Sequence, residues 1–129
     1  MREMDRIGRR SVLTCPDCDG VMWEIDEGKL TRYRCHQGHA YSSEVMGIAI
    51  EETLRRALGS GLRALEERVA LIKKLGQQAE ERDSMRVAAN WADKARELEA
   101  EANTIRKSLR RIDEITESEE TPQRMTGTG

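Results

Sequence analysis

The chain has 129 residues, of which 36% are charged and 37% apolar, with no Phe and a mean hydropathy of -0.73. So thin a supply of core material fits long, exposed helices better than an ordinary globular α/β enzyme, which needs a larger apolar share. The net charge is -2 and is evenly spread: residues 1–42 hold seven basic and seven acidic groups, and the remainder 15 and 17. Neither part is the basic footprint that drives salt-dependent nucleic-acid binding.

Met1–Arg10 is polar and basic and reads as a flexible lead-in. Met1–Val12 has arginines but no apolar run, so no secretory signal is expected. No stretch has the roughly 20 apolar residues that span a bilayer. Three cysteines, an odd number in a short chain, argue against a closed disulfide framework. A reducing cytoplasm is the expected setting, where clustered thiols more often hold metal.

Residues 11–42 read as a small β head. Val21-Met22-Trp23-Glu24-Ile25-Asp26 alternates with period two, and Leu30–Arg34 alternates again after the turn Asp26-Glu27-Gly28-Lys29. The pair predicts a β-hairpin, with room for a third short strand at Ser11–Thr14. Around the hairpin stand Cys15-Pro16-Asp17-Cys18 and Cys35-His36-Gln37-Gly38-His39. Two ligand pairs at these spacings predict one zinc ion held by Cys15, Cys18, Cys35 and His39. A C-x2-C knuckle presents two thiolates on one tight turn, with Gly20 expected to help the chain turn back, and the hairpin returns the second pair to face them. Gly38 is expected to relieve the second turn. Three thiolates and a neutral imidazole fill a tetrahedral shell, so the site is expected to be structural, with no water position for catalysis. His36, adjacent to Cys35, reads as a surface residue. The competing reading is a redox dithiol at Cys15 and Cys18 with Cys35 a buried thiol. Iron is the alternative metal, although its sulfur sites usually use four thiolates. Trp23, Tyr33 and Tyr41 read as the core of this small head, or its cover over the next helix, in preference to a platform for stacking bases.

From residue 43 the pattern is helical. Leu58, Leu62, Leu65, Val69, Ile72, Gly76 and Ala79 recur at alternating spacings of four and three, as do Ala88, Trp91, Ala95, Leu98, Ala102, Ile105, Leu109 and Ile112. These are two a/d seams. Each is the nearest partner of the other, which predicts an antiparallel, coiled-coil-like hairpin of helices at about 43–82 and 84–116. If Ala79 faces Ala88, then Gly76 faces Trp91, Ile72 faces Ala95 and Leu65 faces Ala102, so small side chains meet large ones. Ser42 or Ser43 is the expected N-cap of the first helix and Asp83 or Ser84 that of the second. Val45–Ile50 is apolar on more than one side, one of which the head can cover. Gly59 and Gly61 predict a kink, a close crossing or a break. Residues 117–129, with Pro122 and little that is apolar, read as a disordered tail. The fold class is therefore mainly α: a zinc-ribbon-like β head on a long helical hairpin.

Three stretches resemble a known family. Cys15–Glu24 (C-P-x-C-x-G-V-x-W-E), Arg32–Ser42 (R-Y-R-C-x-x-G-H-A-Y-S) and Leu62–Arg68 (L-R-A-L-E-E-R) resemble the C-terminal extension of some bacterial chemotaxis-type protein-glutamate methylesterases, the CheB class. The likeness runs from about Val12 to about Leu109. The resemblance implies a module accessory to bacterial signal transduction, and its retained H-A-Y favours His39 over His36 as ligand. It does not imply esterase activity: the α/β esterase domain has no room here, no G-x-S-x-G occurs, and the two histidines both lie in the metal motif. The expected function is that of a non-catalytic interaction or regulatory module, with a protein partner or a second copy as the target, since pairing two hairpins would cover Leu54, Leu71, Leu75 and Val87. A nucleic-acid-binding ribbon using Arg2, Arg6, Arg9, Arg10, Arg32 and Arg34 is the alternative.

Overall fold

The computed structural model describes residues 8–128, with side chains to residue 119. The expected lead-in falls largely at residues 1–7, outside the described residues; Arg9 and Arg10 already belong to the first strand. The chain divides into two compact units, Met1–Arg55 and Arg56–Gly129.

The first unit is a four-stranded antiparallel meander in the order β1 (Arg9–Thr14), β2 (Val21–Glu27), β3 (Leu30–Cys35), β4 (Ala40–Ser42), followed by the first turns of a helix. The predicted hairpin is β2–β3, paired from Met22 opposite Cys35 to Glu27 opposite Leu30. Its loop is Gly28-Lys29, with Gly28 at φ 64, the left-handed residue that a two-residue turn needs in its first position. β1 starts two residues earlier than its alternation suggests, and its register shifts between Arg10 and Thr14. Ser11 sits in that irregularity. Its hydroxyl donates to the Met22 carbonyl at 2.8 Å and accepts from the Leu13 N–H at 3.1 Å, so groups near the register shift keep partners. β4 adds a strand to those expected: three residues are too few to display an alternation, and they pair with Arg32–Arg34 only once the second knuckle has turned the chain. Trp23 is 1% exposed, under Arg10, whose guanidinium lies 5.9 Å from the ring centroid. Tyr33 and Tyr41 pack half-buried against the core, so the head's aromatics serve as its interior.

Helix α1 spans Ser43–Glu81. Ser42 is its N-cap, the hydroxyl accepting from the Val45 N–H at 3.2 Å. Of the apolar run 45–50, Met46 is buried in the head's core while Val45, Ile48 and Ile50 stay exposed. The helix continues without interruption through Gly59 and Gly61, and a Cβ at either would meet nothing within 4 Å. Among the described residues they therefore mark neither a break nor a close crossing.

In the second unit α1 turns through Arg82-Asp83-Ser84 into α2 (Met85–Thr128). The turn distinguishes the two cap candidates. Ser84 N–H bonds back to the Ala79 carbonyl and Asp83 N–H to the Glu80 carbonyl, with Asp83 at φ 59: a Schellman closure of α1 in which Asp83 is the left-handed C′ residue. Ser84 opens α2, its carbonyl accepting from the Ala88 N–H at 2.9 Å. Both predicted seams are turned inward. Every seam position of α1 from Leu58 to Ala79 and of α2 from Ala88 to Ile112 is buried or half-buried. Val69, Ile72 and Ala95 form the core, with Trp91 and Leu98 against them. Gly76 faces Trp91 as expected, a Cβ there standing 3.4 Å from the Trp91 Cβ. The helical backbone runs past the expected end at Thr116 to Thr128. Glu117–Thr121 contains no breaker, and extending an existing helix needs no new nucleus, so a polar composition alone does not end it there; the helical backbone then continues through Pro122 and Gly127, for which the sequence supplies no reason. Among the described residues no helix is long and apolar enough to cross a membrane.

Candidate metal centre

Cys15 directly follows β1 and opens the first knuckle, and Cys18 lies three residues on. The knuckle is closed by backbone bonds from Asp19 N–H to the Cys15 carbonyl (2.8 Å) and from Cys15 N–H to the Gly20 carbonyl (2.7 Å). Gly20 accepts the bond that turns the chain back, while the left-handed residue is Asp19, at φ 62. Asp is among the few side chains that tolerate this region. Gly20 also gives room: a Cβ there would lie 3.4 Å from the Cys18 sulfur. The second knuckle repeats the closure, with Gly38 N–H to the Cys35 carbonyl (3.1 Å) and Cys35 N–H to the His39 carbonyl (2.9 Å). Here Gly38, at φ 97, fills the role foreseen for it.

The fold brings Cys15, Cys18, Cys35 and His39 together, with one ligand atom of each within 4.8 Å of all the others, in a cluster that can hold a metal ion. Cys18 Sγ and Cys35 Sγ are 3.7 Å apart. His39 Nδ1 is 3.5 Å from Cys15 Sγ and 3.2 Å from Cys35 Sγ. Nδ1 is thus the inward nitrogen. His36 is exposed and not part of the cluster. Cys15 and Cys35 are buried, Cys18 and His39 half-buried. Beneath the sulfurs lie Met22 and Met46, both fully buried, with Leu13, Tyr33 and Tyr41 around them. Met46 is the residue of the apolar run 45–50 that the head covers, as expected for one side of that run, while the large apolar residues at 45, 48 and 50 are exposed.

The backbone also sets the thiol chemistry. Burial pushes Cys35 up, but the N–H groups of His39 and Gln37 directed at its sulfur, together with Cys18 and His39 side chains, favour the thiolate and bring it down to about 7. At Cys18 the Gly20 N–H favours the thiolate, while burial and the adjacent Cys15 and Cys35 thiols outweigh it and raise the pKa.

Comparisons with protein-family models, with curated proteins and with solved structures find nothing that matches this chain.

Proposed function

We propose that this chain is a non-catalytic, zinc-stapled protein-interaction module. The cluster carries the reading. Zinc bound tetrahedrally by thiolates at about 2.3 Å and imidazole at about 2.0–2.1 Å sets sulfurs about 3.8 Å apart and sulfur about 3.6 Å from nitrogen. The Cys18–Cys35 separation of 3.7 Å and the Cys15–His39 separation of 3.5 Å match those edges, and Cys35–His39 at 3.2 Å is slightly shorter. Three thiolates and one imidazole complete the shell with protein atoms, the closed arrangement of a structural ion. The staple would fix a head whose buried set, among the described residues, is small: Met22, Trp23, Ile25 and Met46 beside the two buried cysteines.

The role of the rest falls to the surfaces that the staple and the hairpin seam hold rigid. The resemblance of Cys15–Glu24, Arg32–Ser42 and Leu62–Arg68 to the extension of chemotaxis-type methylesterases supports a place beside cytoplasmic, chemotaxis-like signal transduction in a bacterium. Ion pairing within the head weighs against nucleic acid as the partner. Arg9 bonds Glu24 at 3.0 Å and Asp26 at 3.3 Å, and Arg32 lies 3.8 Å from Glu27, so these cations are already set against acids.

Elemental analysis tests the reading. One zinc per chain is expected, weakened by His39→Ala and unchanged by His36→Ala. Metal-free wild type with freely titrating thiols at Cys15 and Cys18 would overturn it.

A further inference from the structure

Two ion pairs close one flank of the helical hairpin, Lys73–Glu99 at 2.5 Å and Glu66–Arg106 at 2.7 Å. All four residues occupy the same heptad position beside the seam. In an antiparallel pair this leaves the other flank on the opposite side of both helices. There α1 carries a second stripe with alternating spacings of four and three: Ala57, Gly61, Ala64, Arg68, Leu71 and Leu75. All are exposed but the half-buried Leu75, and Leu71 is 59% exposed. A glycine inside a helix is unfavourable, and the space around Gly61 is open, so none of the described residues of its own chain requires it to be small.

The stripe is small in its N-terminal half and large in its C-terminal half. A second copy laid antiparallel sets Ala57 against Leu75, Gly61 against Leu71 and Ala64 against Arg68, and symmetry repeats each contact. A parallel copy would set small on small and Leu on Leu. The pattern is therefore self-complementary about Glu66. On the same flank α2 carries Asn90, Glu97, Thr104, Arg111 and Ser118 at seven-residue intervals, all exposed. This column is self-complementary too, about Thr104: Glu97 meets Arg111 and Asn90 meets Ser118. Arg111 is free to exchange for this contact its equally exposed intrachain partner Glu114. The two centres arise on different helices, yet the hairpin sets them level. In the register that sets Gly76 against Trp91, Glu66 faces Glu101, three residues, about 4.5 Å of rise and less than one turn, from Thr104. A face about 35 Å long and two helices (about 20 Å) wide gives about 700 Å² per copy, about 1,400 Å² in total, within the range of specific stable interfaces.

We propose that this flank docks a second copy of the chain, antiparallel, about a two-fold axis level with Glu66 and Thr104, forming a four-helix bundle. The proposal rests on reading the helices as the binding surface and does not depend on the metal.

Sedimentation of the full, metal-loaded chain tests it, with zinc content measured on the same samples. Wild type is expected at twice the 14.7 kDa chain mass. Gly61→Leu improves helix propensity and meets open space in its own chain, but collides with Leu71 of the second copy; the dissociation constant is expected to rise about tenfold or more. Glu97→Arg and Arg111→Glu should each weaken the dimer and the double exchange restore it. A single-chain mass at about 100 μM, where standard-size interfaces of even modest affinity are filled, overturns the proposal. So does a dimer indifferent to all these variants, or a wild type that pairs only with a different protein. A zinc-loaded monomer sinks the dimer alone, and a metal-free dimer sinks the zinc reading alone.

Discussion

Removing the metal from the head should unfold the sheet and spare the hairpin. Among the described residues of the head, the large apolar side chains that are almost wholly buried are Trp23, Met22 and Met46. At about 1.5–3 kcal/mol each, their burial contributes about 5–9 kcal/mol before any conformational entropy is charged. A structural zinc at the proposed site would contribute about 10–16 kcal/mol at neutral pH, more than the core beneath it. The hairpin is independent of it, since Val69, Ile72 and Ala95 with Trp91 and Leu98 form a separate cluster. The assay uses Trp91→Phe, which leaves Trp23 as the only indole of the two in the chain. Chelation should shift Trp23 emission to the red, as its 1% exposure gives way to water, while the helical circular-dichroism signal stays largely intact. An unshifted Trp23 after verified metal removal would refute the reasoning, because the sheet would then stand on its own side chains.

Metal uptake should fall as pH drops below about 7, since the Cys35 thiol, brought down to about 7, reprotonates there and protons compete with the metal for it; zinc titrations in buffers from pH 8 to pH 5 read this directly. Asp83→Gly should stabilise the hairpin by about 0.5–1 kcal/mol, because the C′ position holds φ 59 and glycine carries no Cβ cost there; the midpoint of denaturant unfolding measures it. Gly76→Leu should destabilise by about 1–3 kcal/mol despite better helix propensity, since its Cβ would already stand 3.4 Å from the Trp91 Cβ; thermal unfolding of the hairpin checks it. Met46→Ala should cost about 2–5 kcal/mol of head stability, through the cavity left beneath Cys15 and Cys35, and should lower metal affinity with it.

What the chain declares locally is its periodicity and its ligand spacing. The two seams from Leu58 to Ile112 were legible because a heptad repeats the same instruction many times, and a single partner of matching length lies next in the chain. Cys15, Cys18, Cys35 and His39 were legible because two short knuckles separated by a hairpin can meet only where the hairpin closes. Tertiary structure decided what depends on one residue in one place. Asp83 and Ser84 are equivalent caps on paper. The closure of α1 onto Ala79 and Glu80 gives Asp83 the left-handed position and leaves Ser84 to start α2. Asp19 and not Gly20 takes the left-handed position at the first knuckle, because the backbone bond to Cys15 falls on Asp19 while the sulfur of Cys18 needs the space beside Gly20. β4 and Met46 exist as structural features only through partners brought from afar: the edge of β3 for one, the floor of the metal cluster for the other. A three-residue strand and a single methionine carry no period of their own, so only the assembled sheet could assign them a side.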